Sequence, residues 1–411
     1  MIKRIKVHNF LSLKDIDLEL GARNVLVGAN MSGKSNLIEC LEFLKDALSP
    51  AATNNVLPLQ SAFSSRGGFG EVVWKGQPEG PIGIALQAEL QSSGKSGKTP
   101  TSHCYELSLR PPEYGHPRVE SEILSITADN RSETVVENAA GKLKVIQDDQ
   151  KIDGPQNTQA LGVRLYARDN SSELSRFLNF VMGWRFYHLV PALMRTSNAP
   201  AWEDHLFEHG ENLSAWLLVL QNYPEEFRRL KQACCDVLSG LAEILFQPVE
   251  PPQQQIQTGT LGTASFTMDA AKISIGAAER PFNRPMSLAR MSDGELAFLG
   301  LISVIFAPEE LTPPLLCIEE PENYLHPRLI EVLVELLNQR ATEAHPPQVI
   351  MTTHSPLLVD RLSIDDLVVV EKSEGASRFT RPSTKKHLRK LLSSKEASLG
   401  DLWYSGALTD S

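Results

Sequence analysis

Val25-Leu-Val-Gly28-Ala-Asn30-Met-Ser32-Gly33-Lys34-Ser35-Asn36 is the stretch that decides the fold. Three apolar residues make a short strand, and Gly28-x4-Gly33-Lys34-Ser35 follows at once. Glycines at these positions let the backbone curl so that its N–H groups face one point at a helix N-terminus, which makes an anion cradle. Lys34 brings the charge that β- and γ-phosphates need, and Ser35 brings a hydroxyl for Mg²⁺. Leu37, Ile38, Leu41, Leu44 and Leu48 then fall on one face of a 3.6-residue period until Pro50 stops the helix. Strand, loop and amphipathic helix in that order distinguish a phosphate loop from a chance match. The rival Gly94-Lys95 pair sits in low-complexity text and lacks that context. The phosphate-cradling set is therefore Gly28, Asn30, Ser32, Gly33, Lys34, Ser35 and Asn36.

Upstream of this stretch the chain alternates as strands do: Ile5 and Val7 lead to Phe10, then Ile16, Leu18 and Leu20 interleave with Asp17 and Glu19. From Gly67 to Val145, short alternating runs separated by Gly, Pro and Asn predict an antiparallel β lobe, with a flexible loop at 91–101. Residues 172–246 carry Trp, Phe and Leu at helical spacing and predict helices. Residues 250–264, rich in Gln, Pro, Gly and Thr, read as a linker. Strands at Leu315–Glu319, Val349–Thr352 and Leu367–Val370, with a helix at Arg328–Arg340, return the chain to α/β. The expected fold is thus α/β, with a mostly parallel core sheet, an antiparallel β lobe and an inserted helical lobe. The expected segments are 1–165, 166–264 and 265–411. No sustained heptad predicts a coiled-coil arm.

Composition narrows the function classes. A chain of 411 residues with 42% hydrophobic and 22% charged residues reads as a globular protein. A net charge of -10 excludes the molecule as a whole from being an electrostatic nucleic-acid binder, so any such contact needs a local patch. The five cysteines, Cys40, Cys104, Cys234, Cys235 and Cys317, form no CxxC pair and read as reduced thiols. The opening MIKRIKVHNF turns polar too soon for a signal peptide, and no run is long enough to span a bilayer. The expected location is cytoplasmic, without membrane contact.

Three further motifs carry chemistry. Leu315-Leu-Cys-Ile-Glu319-Glu320-Pro321 is an apolar strand ending in two carboxylates, one for a metal and one for a water, as phosphoryl-transfer chemistry requires. Met291-Ser292-Asp293-Gly294-Glu295 opens a helix with a hydroxyl and a glycine N–H, which read alone is only a good cap. Thr352-Thr353-His354-Ser355-Pro356 puts a histidine at the end of a strand, which read alone is structural more often than catalytic.

Together, in the order phosphate loop, long insertion, SxGE, strand with EE-P-E-x-x-L-H-P, and TTHSP, they resemble the ABC-type ATPases of the RecF, SMC and OLD kind. The narrower resemblance is to the small AAA-21 (RecF/OLD-like) ATPases, and it runs from Ile2 to the tail SLGDLWYSGAL. It implies an ATPase using ATP and Mg²⁺. Lys34 and Ser35 would form Walker A, Ser292 and Gly294 the signature, and Glu320 the general base. His354 would be the γ-phosphate switch, and Glu319, with Ser35, would hold Mg²⁺. It further implies a homodimer in which each signature meets the partner's ATP and Asn323 to His326 cross the interface. Gln60 is a weak match for the Q-loop glutamine.

The sequence departs from this pattern at Met31, where such loops usually have Gly, and at Glu319, where they usually have Asp. OLD proteins add a Toprim nuclease, and Leu367-Val-Val-Val-Glu371 resembles its start, but no Asp-x-Asp follows. Any nuclease is expected on a separate effector chain. His205 and His209 are spaced for one helix face without a third zinc ligand. Arg378, Arg381, Lys385, Lys386, Arg389, Lys390 and Lys395 form an acid-free run, readable as a phosphate-backbone patch for nucleic acid or as a solvated helix. The leading reading is a dimeric ATP-driven head in DNA repair or antiphage defence. The alternatives are a nucleotide-dependent switch acting on protein only and, more weakly, a transport subunit.

Overall fold

The computed structural model describes residues 1–50, 57–91, 100–113, 116–129, 131–139, 141–147, 150–154, 159–167, 172–196, 202–238, 241–249, 272–279, 286–384, 386–393 and 397–408. The expected linker at 250–264 lies outside them, as does most of the loop at 91–101. Strands are numbered β1 to β17 and helices α1 to α13 along the chain. By contacts the chain forms two compact units. One comprises Met1–Phe186, Pro313–Glu319 and Pro347–Ser411, the other Tyr187–Thr312 and Glu320–Pro346.

The first unit is built on two sheets. An antiparallel sheet of eight strands runs β2 (Leu13–Glu19), β1 (Ile2–Phe10), β4 (Ile82–Leu90), β5 (Thr101–Glu113), β6 (His116–Ala128), β7 (Arg131–Ala139), β8 (Lys142–Gln147), β9 (Gln150–Asp153). The second runs β10 (Arg185–Tyr187), β14 (Leu315–Glu319), β15 (Gln348–Thr353), β3 (Arg23–Val27), β16 (Leu367–Ser373), β17 (Ala376–Thr380). There β14, β15, β3 and β16 pair in parallel, and β17 returns antiparallel. Parallel strands buried on both faces read as apolar runs, as Leu315–Ile318 and Leu367–Val370 do. Helix α1 (Lys34–Leu48) buries Leu37, Ile38, Leu41, Leu44 and Leu48 in one apolar core with side chains of both sheets. Phe10, Phe43, Phe63 and Phe69 continue that core as a row of rings, centroids 5.5, 4.8 and 5.4 Å apart. The Gln348 side chain ties the chain start to the core sheet, accepting from Ile2 N and donating to Ile2 O, both at 2.7 Å.

Two sequence expectations need correction. In the stretch from Gly67 the strands begin only at Ile82, because Phe69–Val72 forms the short helix α3, following α2 (Pro58–Ser64). Their apolar residues, Leu59, Phe63 and Phe69, serve the core around Phe43. The helical stretch also stops early. After α4 (Gly162–Tyr166), α5 (Glu173–Met182), α6 (Pro191–Met194), α7 (Leu213–Leu220) and α8 (Pro224–Val237), the backbone turns extended at Leu238. Leu241–Val249 is then a strand, β11, paired with β12 (Lys272–Glu279).

In the second unit β12 also pairs with β13 (Met286–Ser287). Helix α9 (Asp293–Ile305) is buried along its length from Leu296 onward. A helix apolar on every face belongs to a core. Trp216 of α7 donates from its indole to Ser303 Oγ at 3.1 Å, which satisfies the one polar side chain on that buried stretch. Helix α10 (Pro327–Arg340) turns Ile330, Leu333, Val334 and Leu337 inward, as the sequence predicts.

One buried group makes the β lobe pH-sensitive. The Glu122 carboxyl is wholly buried and accepts from Tyr105 Oη at 3.1 Å, Gly162 N at 2.5 Å and Val163 N at 3.2 Å. Burial outweighs these donors and raises its pKa from 4.5 to about 7. The folded state therefore holds this proton more tightly than the unfolded chain does. The associated stability is complete below pH 4.5 and is lost as pH rises through 7. The expected loss between these limits is about 3 kcal/mol. Urea unfolding of the wild type and Glu122→Gln across pH 4.5 to 8 should show this slope only in the wild type. Parallel profiles would contradict it.

Candidate functional site

The phosphate loop leaves β3 as the sequence predicts. Gly33, the N-cap of α1, has φ +101°, open to glycine at little cost, and no side chain caps the helix there. A Cβ on Gly33 would overlap the Ser377 and Ser12 hydroxyls, and one on Gly28 would overlap the Val370 carbonyl. Met31, at the position where glycine was expected, is 85% exposed with φ +66°. The loop therefore keeps the left-handed turn and bears its strain. Lys34 is buried, its ammonium donating to the Gly28 and Ala29 carbonyls at 2.9 and 3.1 Å. Ser32 Oγ is buried without a hydrogen-bond partner among the described residues, a polar atom left for a ligand.

Beside the loop, Ser35 Oγ donates to Glu319 Oε2 at 2.5 Å, across 284 residues of chain. The structure thus brings together the hydroxyl and carboxylate chosen for a metal. Both are hard oxygen donors, the type Mg²⁺ takes. His354 follows β15 and is exposed, and the buried Thr353 hydroxyl accepts from Ser355 N at 3.0 Å to shape the turn behind it. A cavity of about 720 Å³ adjoins the loop, lined by Gly28 to Ser32, the end of β16, and Trp403 and Tyr404 of α13 (Leu399–Tyr404).

The division between units falls after Glu319, so Glu320 belongs to the second. Glu320 has φ +44°, a left-handed conformation that residues other than glycine adopt rarely. Asn323 holds it twice: its N–H donates to the Glu320 carbonyl at 3.0 Å and its Nδ2 to Glu320 Oε2 at 3.0 Å. In the same unit, Ser292 caps α9 in a reciprocal box with Glu295. Its N–H and hydroxyl both donate to Glu295 Oε2, at 2.8 and 2.9 Å. A Cβ on Gly294 would lie 2.6 Å from the Tyr324 carbonyl, so glycine is what lets the 323–326 turn rest on the start of α9.

Sequence reading missed Arg195, whose guanidinium donates to the Ala289 and Met291 carbonyls at 3.0 and 2.5 Å and to Asp293 Oδ1 at 2.5 Å. It braces the turn that presents Ser292. It also missed Ser12 and Ser377 behind Gly33.

Residues 167–360 match the family model AAA_21, described as "AAA domain, putative AbiEii toxin, Type IV TA system". Residues 1–82 match AAA_15, "AAA ATPase domain". The solved SMC head bound to the C-winged helix domain of ScpA is 14% identical and covers 92% of this chain and 97% of its own, with a TM-score of 0.53, which shows a shared fold. The chain is a P-loop ATPase that shares the fold of an SMC head. The SMC head domain from Thermotoga maritima also aligns, at 15% identity over 92% of this chain and 98% of its own, TM-score 0.43. So does the Smc head with an extended coiled coil bound to the C-terminal domain of ScpA, derived from Pyrococcus furiosus, at 14% over 96% and 99%, TM-score 0.47. No curated protein matches.

Other expectations on this ATPase resolve plainly. Leu367–Glu371 is spent in the core sheet as part of β16, with Glu371 opposite Arg378 on β17. In the basic run, Arg381 donates to the Glu19 and Asp365 carbonyls and to Asn24 Oδ1, and Arg389 to Ser383 O and Asp365. Arg381 is therefore structural, while Arg389 stays exposed in its ion pair with Asp365. Lys385 and Lys395 lie outside the described residues. His209 donates to the His188 carbonyl and His205 pairs with Asp204. Among the described residues no group of three His, Cys, Asp or Glu could hold a metal, and no helix is long and apolar enough to cross a membrane. Gln60 lies half-buried on α2.

Arg195→Ala should strip two carbonyls of their donor. Amide exchange at 288–295 should then quicken roughly tenfold or more, for a loss of about 1–3 kcal/mol, with residues 28–35 unchanged. Unchanged exchange at 288–295 would show that Arg195 braces nothing.

Proposed function

We propose that this ATPase is a Mg²⁺-dependent head that closes as a homodimer over two ATP molecules. The observation that carries the reading is the start of α9, a second helix N-terminus where an exposed Ser292 and a Gly294 seated on the 323–326 turn would receive an anion. In the first unit, Gly28 to Asn36 already form a complete phosphate cradle. A second such terminus is explained if it serves the nucleotide of another copy. Ser292 reaches that phosphate by exchanging the Glu295 carboxylate for it, one anion for another. Large apolar side chains left exposed beside these motifs, Met31 and Tyr404 at 85% and Tyr324 at 55%, favour burial by a second chain.

Within this reading the chain's own groups divide the work. The loop N–H groups and Lys34 bind and orient the phosphates. Ser35 and Glu319 would hold Mg²⁺, which supplies charge to offset that developing on the phosphates. Glu320, pinned by Asn323 in its left-handed turn, orients and polarises the attacking water and takes its proton. His354 senses the terminal phosphate. We place the activity in DNA repair or antiphage defence, with a separate effector. The support for that setting is the toxin–antitoxin description of the AAA_21 model and the motif resemblance. Nucleic acid remains a partner in this reading through the remainder of the Arg378–Lys395 segment. The second reading, a protein-directed nucleotide switch, is favoured by the net charge of -10.

Glu320→Gln should bind Mg-ATP and not turn it over, and light scattering should show a stable dimer. Unimpaired phosphate release would remove Glu320 as the base. Lys34→Ala should weaken ATP roughly 100-fold, about 3 kcal/mol, measured by titration calorimetry. A wild-type isotherm would refute the phosphate-loop assignment.

A further inference from the structure

Behind Gly33 a chain of side-chain hydrogen bonds starts on α1 and ends on the phosphate loop. Asn36 Nδ2 donates to Ser12 Oγ at 2.6 Å, Ser12 Oγ and Ser377 Oγ lie 2.6 Å apart, and Ser377 Oγ donates to the Ser32 carbonyl at 2.6 Å. The directions are forced. A carbonyl only accepts, so the single Ser377 proton goes to Ser32, Ser12 must donate to Ser377, and Asn36 must donate to Ser12. Ser377 N also donates to the Ser12 carbonyl at 2.7 Å, which locks β17 to the β1–β2 turn. Both hydroxyls are buried, at 4% and 6% exposure, where aligned donors reinforce one another.

The atom this chain ends on matters. In a planar trans peptide the carbonyl and the following N–H point in opposite directions. Holding the Ser32 carbonyl back against β17 therefore aims the Gly33 N–H forward, into the concave side of the loop. Nothing in Gly33 itself enforces this, because a peptide beside a glycine can flip at small cost. A flip would present a carbonyl dipole where the site needs a donor.

We propose that Ser377, on the C-terminal hairpin, is a positioning residue for nucleotide binding. Its hydroxyl sets the orientation of the Ser32–Gly33 peptide, and through it the loop's affinity for the diphosphate that ADP and ATP share. The proposal rests on the reading of Gly28 to Asn36 as the nucleotide site.

The test compares ADP and ATP affinity by calorimetry, and steady-state hydrolysis, in wild type, Ser377→Ala, Ser377→Thr, Ser12→Ala, the Ser12/Ser377 double alanine variant and Lys34→Ala. Ser377→Ala should weaken both nucleotides alike by roughly tenfold, raising KM with kcat nearly unchanged. Ser377→Thr, which keeps the hydroxyl, should restore affinity. The double variant should lose no more than Ser377→Ala, because Ser12 acts through Ser377. Wild-type affinity in Ser377→Ala with binding lost in Lys34→Ala would overturn the proposal. An equal loss in Ser377→Thr would also overturn it, since the hydroxyl would then not be what acts. Wild-type binding in Lys34→Ala would instead overturn the underlying site assignment. If Ser377→Ala does not fold, the Thr variant and Ser12→Ala carry the decision: wild-type affinity in the first with weakened affinity in the second supports the proposal, and any other pair overturns it.

Discussion

The phosphate loop leaves β3 through a gap that admits no side chain at either end. Gly28 lies against the Val370 carbonyl and Gly33 against the Ser12 and Ser377 hydroxyls. The first contact follows from the parallel pairing of β3 with β16, which sets Val27 opposite Val369 and carries the next residues of each strand past one another, and the second from β17 and the β1–β2 turn, joined by Ser377 N donating to Ser12 O. That pairing in turn needs β16 to be apolar on both faces, and Leu367 to Val370 are wholly buried or nearly so. The cradle is thus a product of the core sheet as much as of its own glycines. Its geometry depends on a hairpin that arrives more than three hundred residues later in the chain.

This dependence separates what the sequence reveals from what it hides. The strand, loop and helix around Gly28 to Leu48 are local, and apolar spacing plus two glycines make them legible. The pairing of Ser35 with Glu319 is not local, yet it was legible because each belongs to a motif whose chemistry demands the other. Ser12 and Ser377 belong to no motif. Their hydroxyls matter only because β1–β2 and β16–β17 converge behind Gly33, and nothing in either stretch signals that. Arg195 is invisible for the same reason, since its acceptors are mostly backbone carbonyls. Where periodicity misled, tertiary packing was the cause: Phe69 sits on a short helix because the core around Phe43 takes it. Arg381 looks like part of a surface patch in sequence, but it is held by the main-chain carbonyls of Glu19 and Asp365.

The placement of the chemical groups bears on how the activity is organised. Lys34, Ser35, Glu319 and His354 belong to one compact unit, while Glu320, Ser292, Gly294 and the 323–326 turn belong to the other. The break falls at a single peptide, and the residue just after it is held in a left-handed conformation. Strain of this kind persists where the surroundings over-determine it, and Asn323 supplies two of those constraints. If Glu320 is the base and Ser292 with Gly294 the signature, as proposed, their shared unit would tie water activation to whatever the signature contacts.

In the proposed dimer, Ser292 and Gly294 act on the ATP of a partner. Mixing Ser292→Arg chains with Lys34→Ala chains tests it most directly, because each mixed dimer holds one site with both defects and one with neither. Either variant alone should be inactive, and the mixture should recover part of the wild-type hydrolysis rate, with recovery dependent on protein concentration. A Ser292→Arg protein that hydrolyses ATP as a monomer at the wild-type rate would contradict it.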